Sequence, residues 1–516
     1  MSITIVTRAG KGSPLNATEH DANLTNIAAA IDPEHNPDGT HKTAALHIAT
    51  NAPALAGIST TLAVSPDDLK YVLDRYQSRE NLIGTPGSPG FGVGICPVAS
   101  LPAGMNPMPG SGELGHDNYG NYQFTDGSIM CWFPRFYYRI GHASNPTYGV
   151  YGANSIDIKG VDTYATTAAA NADGYALHRA FIDGGVEKLG FFRDKYKCSK
   201  VAKGTGYTAA SIKNGLPLSS AAAHNPFSGL TGGEDYYYSA IDLAHRRDGV
   251  NGAVNASSIF FCSSQFMRGA IAMLSMAHGQ AALSTANCAW YHATYNYPKG
   301  CNNNALRDID DTTVIWEPDG YSTCGKTGSA GYGGGAGNVF AKSTHNGQNC
   351  GSADDNGLMY EISLGVTCDG ANFYVAKQAT VMKTFTNGDN VLATDHWGAS
   401  GIAGMFDALT VPFITGNDGW AYFGNNANQV LAEEISGNSW LLTGLGFPDA
   451  AAGLSAAGTN LFGKDGLYRY IIDKLCLLVA FYWLHAPSAG VWGAGWADAR
   501  HGSYYAVSFR AACYHV

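Results

Sequence analysis

Charge is scarce in this chain. Lys, Arg, Asp and Glu make up 14% of its 516 residues, and the balance is −10. Binding along a nucleic-acid backbone needs basic residues that displace counterions, so this composition argues for no nucleic-acid partner. Long apolar runs are missing too. The most apolar stretch, LCLLVAFYWL at 475–484, is too short to span a bilayer and reads as a buried strand or core segment. The opening MSITIVTRAGKGS has no apolar run of signal-peptide length, so we expect a protein made in the cytoplasm, without a secretion signal and without membrane insertion. The 11 cysteines are odd in number and scattered, with no Cys-x-x-Cys pair. That argues against a zinc site or a disulfide framework and leaves buried free thiols. No internal repeat is evident.

Glycine (65 residues), tyrosine (29) and tryptophan (9) are what the chain has instead. Low charge with abundant Gly, Asn, Ser, Tyr and Trp suits long ordered loops on a scaffold, a composition common in secreted, viral and surface-displayed proteins. The length allows two or more domains. Residues 1–80 read as a small helical unit. Asn16 and Glu19 form a cap-like pair ahead of Leu24, Ile27, Ala28 and Ile31. Ser65 caps a second helix, with Pro66 at its first position and Asp67 and Asp68 near its positive end, followed by the stripe Leu69, Val72, Leu73 and Tyr76. The Gly/Pro-rich 81–115 reads as a linker, 116–169 as a β-rich connecting region, and 170–516 as the main domain. SIMCWFPRFYYRI and KLGFFRDKYKCS read as strands, and 263–282 as a helix with Phe266, Ala270, Met273, Leu274 and Ala277 on one face. The expected class is α+β, a few helices against an irregular antiparallel sheet with loops dominating.

Three motifs carry chemistry on paper. GYSTCGKT at 320–327 matches a phosphate-binding loop, but the glycines that follow cannot start a stable helix, each costing about 1 kcal/mol against alanine. It reads as a surface loop, and no ATP binding is expected. Asp308, Asp310 and Asp311, and Asp354, Asp355 and Asn356, are hard-oxygen groups that could hold Ca²⁺. Neither set has the twelve-residue loop ending in Glu, and turn-forming Asp and Asn is the competing reading. No cofactor is expected otherwise. His278 reads as a core histidine and Glu361 as a structural, hydrogen-bonding carboxylate.

TRAGKGSPLNATEHDANLTNI, DGTHK and AVSPDDLKYVLD resemble phrases of bacteriophage tail-fibre proteins. Four later stretches resemble, in order, the C-type-lectin-like fold in its sulfatase-modifying-factor form: FFRDKYKCSK, the helix at 263–282 leading into ANCAWY, DDNGLMYEISLG, and GSYYAVSFRAACYHV with Phe509, Arg510 and Cys513. The stretches between them match poorly, which implies long insertions. The resemblance implies a virion tail-fibre or tail-tip protein. It would be trimeric, attached through residues 1–80 to other tail proteins, and would contact a glycan or protein receptor on the host through its C-terminal domain. Phage proteins of this kind include tropism determinants diversified by retroelements, and 492–516 resembles such a variable terminus. Formylglycine-generating enzymes share the fold and bind copper through a cysteine pair; Cys476 and Cys513 are far apart in sequence, and Cys513 reads as a buried strand residue. An oxidase of that type, and a bacterial surface display protein, are the alternatives.

The receptor contacts are expected at Trp492, Trp496, Asp498, Arg500, His501, Ser503, Tyr504 and Tyr505, because Tyr and Trp give large contact area with few rotors to freeze. Alternation after Tyr505 would send Val507 and Phe509 inward. Trp492 and Trp496 stand equally as core residues. The apolar stripes of 1–80 sit on a unit too small to bury them alone, so light scattering of the full chain should give the mass of a trimer at micromolar concentration. A stable monomer would count against that.

Overall fold

The computed structural model describes residues 79–219, 236–291, 324, 340–355, 358–385, 404–408, 418–422, 465–482, 484–485 and 488–514. All belong to one of the two units into which the chain divides, Asp74–Val516. The helical stripes expected in 1–80, Lys326 with its glycine-rich surroundings, and Asp308, Asp310, Asp311 and Asn356 lie outside the described residues.

Two six-stranded sheets carry the unit. In the first, Met105–Pro107, Asn121–Phe124, Ile129–Pro134, Gly190–Asp194, Ala511–Tyr514 and Phe261–Cys262 lie side by side. In the second the order is Gly419–Tyr422, Gly466–Arg469, Ala494–Ala499, Leu475–Val479, Tyr360–Ser363 and Val507–Ser508. Pairing is mostly antiparallel, so the α+β reading holds at the level of a mixed, loop-rich fold. Among the described residues no helix is long and apolar enough to cross a membrane.

The boundary expected at 170 falls inside the first sheet. Ile129–Pro134 pairs along its length with Gly190–Asp194, so the region read as a connector is part of the same core. SIMCWFPRFYYRI is also two strands, Ile129–Pro134 and Phe136–Ile140, which enter different sheets. Pro134 has no N–H to continue the ladder, and the Arg135 N–H turns to the Leu189 carbonyl at 2.7 Å.

The Gly/Pro stretch is not a linker either. Ile83, Phe91, Val93 and Ile95 are buried. The Gly92 N–H donates to Ile83 and the Gly94 N–H to Trp132. Glycine is there for close approach: a Cβ on Gly94 would lie 2.4 Å from the Leu82 carbonyl oxygen. Composition alone does not separate a flexible glycine run from one pressed into a core.

The helix Gln265–Ala281 begins where Ser264 Oγ accepts the Met267 N–H. Its expected apolar stripe is buried, and so is nearly every other residue on it. Its polar side chains therefore have internal partners. Gln280 Oε1 accepts the Ile156 N–H, and its Nε2 donates to the Asn154 carbonyl. His278 Nδ1 accepts the Gly87 N–H at 3.1 Å while Nε2 donates to the Asn287 carbonyl at 2.8 Å, and the ring stacks on Phe91. This is a satisfied core histidine, its pKa lowered by burial to about 4. All ten described cysteines, Cys476 and Cys513 among them, are buried and outside any disulfide. Those two lie in different sheets.

Candidate functional site

A buried set of charges joins distant parts of the sequence. Glu361 Oε1 accepts from Lys197 Nζ at 2.7 Å and from Arg510 Nε at 2.9 Å, and its Oε2 accepts from Arg193 Nη2 at 2.5 Å. Asp355 Oδ1 accepts from Arg268 at 2.7 Å and from Arg193 at 3.1 Å. All six side chains are at most 3% exposed. Burial alone would raise both carboxyls; the surrounding cations overcome it and hold both well below the usual carboxylate range. Glu361 is thus a structural hydrogen-bonding carboxylate, as its position suggested. Asp355 is committed to arginines, whose field repels a cation, which removes it as a calcium ligand. Among the described residues no group of three His, Cys, Asp or Glu could hold a metal ion. Beside this set, Arg247 pairs with Asp194 and reaches Asp126 at 3.6 Å.

This network fixes the C-terminal strands. Arg510 also donates to the Lys195 carbonyl at 2.6 Å, and Ala511–Tyr514 is clamped between two other strands. Val507 and Phe509 are buried as expected, but Ser508 and Arg510 are buried too, because both faces of this segment are covered.

Of the eight expected contact residues, three are interior. Trp496 is fully buried against Phe373, with ring centroids 5.1 Å apart, and Trp492 is buried in the same core. Arg500 donates to Thr367 Oγ1 at 2.8 Å and its guanidinium lies 4.7 Å from the Tyr237 ring centroid. Alternation along Ala494–Ala499 explains Trp496: it points into the core, while Gly495 opens the opposite face. Asp498 and Tyr504 are half-buried, and His501, Ser503 and Tyr505 are exposed.

On the Gly495 face an aromatic patch assembles from five separate segments. Trp420 and Tyr468 are cross-strand partners with rings 5.2 Å apart. Gly495 follows on the next strand, and a Cβ there would sit 3.4 Å from the Tyr360 ring. Phe481 and Tyr482 form the base, and His485 stacks on Phe481 at 4.5 Å. His485 Nε2 and the Tyr360 hydroxyl share a hydrogen bond of 2.8 Å. Tyr504 continues the patch by donating to the Tyr482 hydroxyl at 3.1 Å, and Tyr505 packs on Tyr504 at 4.6 Å. Burial lowers the His485 pKa to about 4, so the ring is neutral at physiological pH. Ala480 and Phe481 have φ of 70° and 49°, a left-handed turn just past the end of Leu475–Val479. Non-glycine residues held there cost energy and gather at functional sites. The spacing of the sequence does not reveal Tyr360, Trp420, Tyr468 or His485 as neighbours of Tyr504.

Asp465 braces the base of this region. It is buried, and its Oδ2 accepts the Trp492 N–H at 2.9 Å. Burial raises its pKa well above the ordinary value. A carboxyl raised in the folded state contributes stability that is complete at low pH and lost as pH rises through the raised value. Asp465→Asn keeps the acceptor and removes the charge. It should stabilise the fold by on the order of 1–3 kcal/mol at pH 8 and by less at pH 5, read from denaturant midpoints. A destabilised variant at pH 8 would contradict this.

No protein-family model matches the chain, and no curated protein matches its sequence.

Proposed function

We propose that this chain is a receptor-binding protein of the phage tail-fibre type, with a C-type-lectin-like fold of the sulfatase-modifying-factor form in its C-terminal domain. It would hold a host-surface ligand on the aromatic patch and the adjoining 501–505 loop. Residues 1–80 would attach a trimer to other tail proteins. The four stretches that carry the fold resemblance supply the members of one buried ion network, and this supports the fold reading. Arg193 and Lys197 come from the first stretch, Arg268 from the second, Asp355 and Glu361 from the third, and Arg510 from the fourth.

The observation that carries the function is the patch itself. Half-buried tyrosines, a tryptophan and a neutral histidine form a large, preorganised surface of low charge, with few rotors left to freeze. Beside it, exposed His501, Ser503 and Tyr505 lie in the loop that leads into Val507–Ser508, just ahead of Arg510, which the ion network anchors. That arrangement suits a terminus whose contacts vary while its base stays fixed, as retroelement diversification would require. The test is direct. Labelled full-length chain should stain a subset of bacterial strains in a panel, and unlabelled chain should compete for the stain. Staining of no strain, or equal staining of all, would overturn the reading.

A further inference from the structure

Away from the aromatic patch, a cavity of about 410 Å³ opens between the 108–121 loop, the strand end at Ile129 and the turn after Phe340. Its volume falls in the range of small-molecule sites. Lys195 is part of its wall and is only 3% exposed. The ammonium donates to Asn121 Oδ1 at 2.6 Å and to the Asn349 carbonyl at 2.5 Å, which uses two of its three donors. Among the described residues no carboxylate makes an ion pair with it at contact distance; Asp117 acts on it only from further off, and a buried ammonium so weakly compensated is costly. Lys213 stands exposed on the same cavity. The two ammonium groups lie 5.8 and 5.6 Å from the Phe340 ring centroid, close enough to repel each other. Asp117, also on the wall, is held by Asn349 Nδ2 at 2.9 Å.

We infer that this cavity binds a sugar acid, a pyranose carrying one carboxylate, with the carboxylate between Lys195 and Lys213. The third donor of Lys195 then acquires its acceptor, and the repulsion between the lysines becomes shared attraction. The rings of Tyr196 and Phe340 give apolar walls for the carbon face of the sugar. His116 accepts the Asn118 N–H on Nδ1, which leaves Nε2–H to donate to a ring hydroxyl. A bare inorganic anion would leave the aromatic walls and most of the volume unused. This inference goes beyond the receptor reading and does not depend on the aromatic patch.

Calorimetry on the full-length chain tests it with D-glucuronate, D-glucose and acetate as probes. Glucuronate should bind saturably and at least about tenfold more tightly than either control. Lys213→Ala, a change at an exposed side chain, should weaken glucuronate by about tenfold and leave the melting temperature unchanged. Lys195→Met should abolish binding, and circular dichroism checks its fold. His501→Ala, remote in sequence from the cavity, should bind glucuronate as the unmodified chain does. Absence of saturable binding, equal affinity for glucose or acetate, or an unaffected Lys213→Ala variant would each overturn the proposal.

Discussion

Glu361→Ala should cost about 3–5 kcal/mol of folding stability, enough to leave much of the protein insoluble or partly unfolded. The reason is the imbalance that it creates. Arg193, Lys197, Arg268 and Arg510 already outnumber Asp355 and Glu361, and the surplus positive charge is offset by carbonyls such as those of Lys195 and Asp354. Removing Glu361 strands three hydrogen-bonded cations in the core at once. Lys197→Met should cost less. It takes away part of the surplus and leaves Glu361 its bonds to Arg193 and Arg510. Denaturant midpoints give the order. If Glu361→Ala proves milder than Lys197→Met, the network is not what holds the strands together.

The same network sets the acid limit. Glu361 and Asp355 are held below their ordinary values in the folded state, so their contribution is complete above about pH 4 and is lost as pH falls below it. His278 and His345 act in the same direction at higher pH. Burial lowers them to about 4 and about 3, so the unfolded chain takes up protons first, from about pH 6.5 downward. Asp465 works in the opposite sense, its contribution declining as pH rises. Stability should therefore begin to decline below about pH 6.5 and fall steeply below about pH 4.

What could be read from the sequence was local. Ser264 and the spacing from Phe266 to Ala277 mark the long helix, and the apolar run at 475 marks a core strand. Pro134 was a visible break within an apparently continuous strand. The linker expected at 81–115 is a buried segment where it holds Ile83 to Ile95, because glycine at a tight contact and glycine in a linker look alike until the contact partner is known; for Gly94 that partner is a carbonyl twelve residues back. The sequence leaves Trp492 and Trp496 open between core and contact roles, and puts Arg500 among the contacts, for a similar reason. Aromatic and arginine side chains suit both cores and surfaces, and only the second sheet's register decides which way Trp496 points. The patch itself joins Tyr360, Trp420, Phe481 and Tyr504, whose contacts are long-range and leave no periodic signal.

His501→Ala with Tyr505→Ala should abolish staining of bacterial cells while leaving the unfolding transition within about 0.5 kcal/mol of the unmodified chain. Both side chains are exposed, and Tyr505 at 37% exposure carries only part of its ring against Tyr504. Tyr504 is left intact because its hydroxyl bonds Tyr482 and its ring packs on the core, so truncating it would confound binding with folding. Exposed aromatic anchors next to a preformed platform supply much of the energy of an interface, and losing one costs about 2 kcal/mol or more, roughly thirtyfold in affinity. A companion variant separates the loop from the platform. Trp420→Ala removes a half-buried ring contributed by a different strand, 5.8 Å from His485. If the ligand spans the whole patch, Trp420→Ala weakens staining as well, and the triple variant is no worse than the double. If staining survives the double change at full strength, the receptor does not touch this terminus, and the proposed site is wrong.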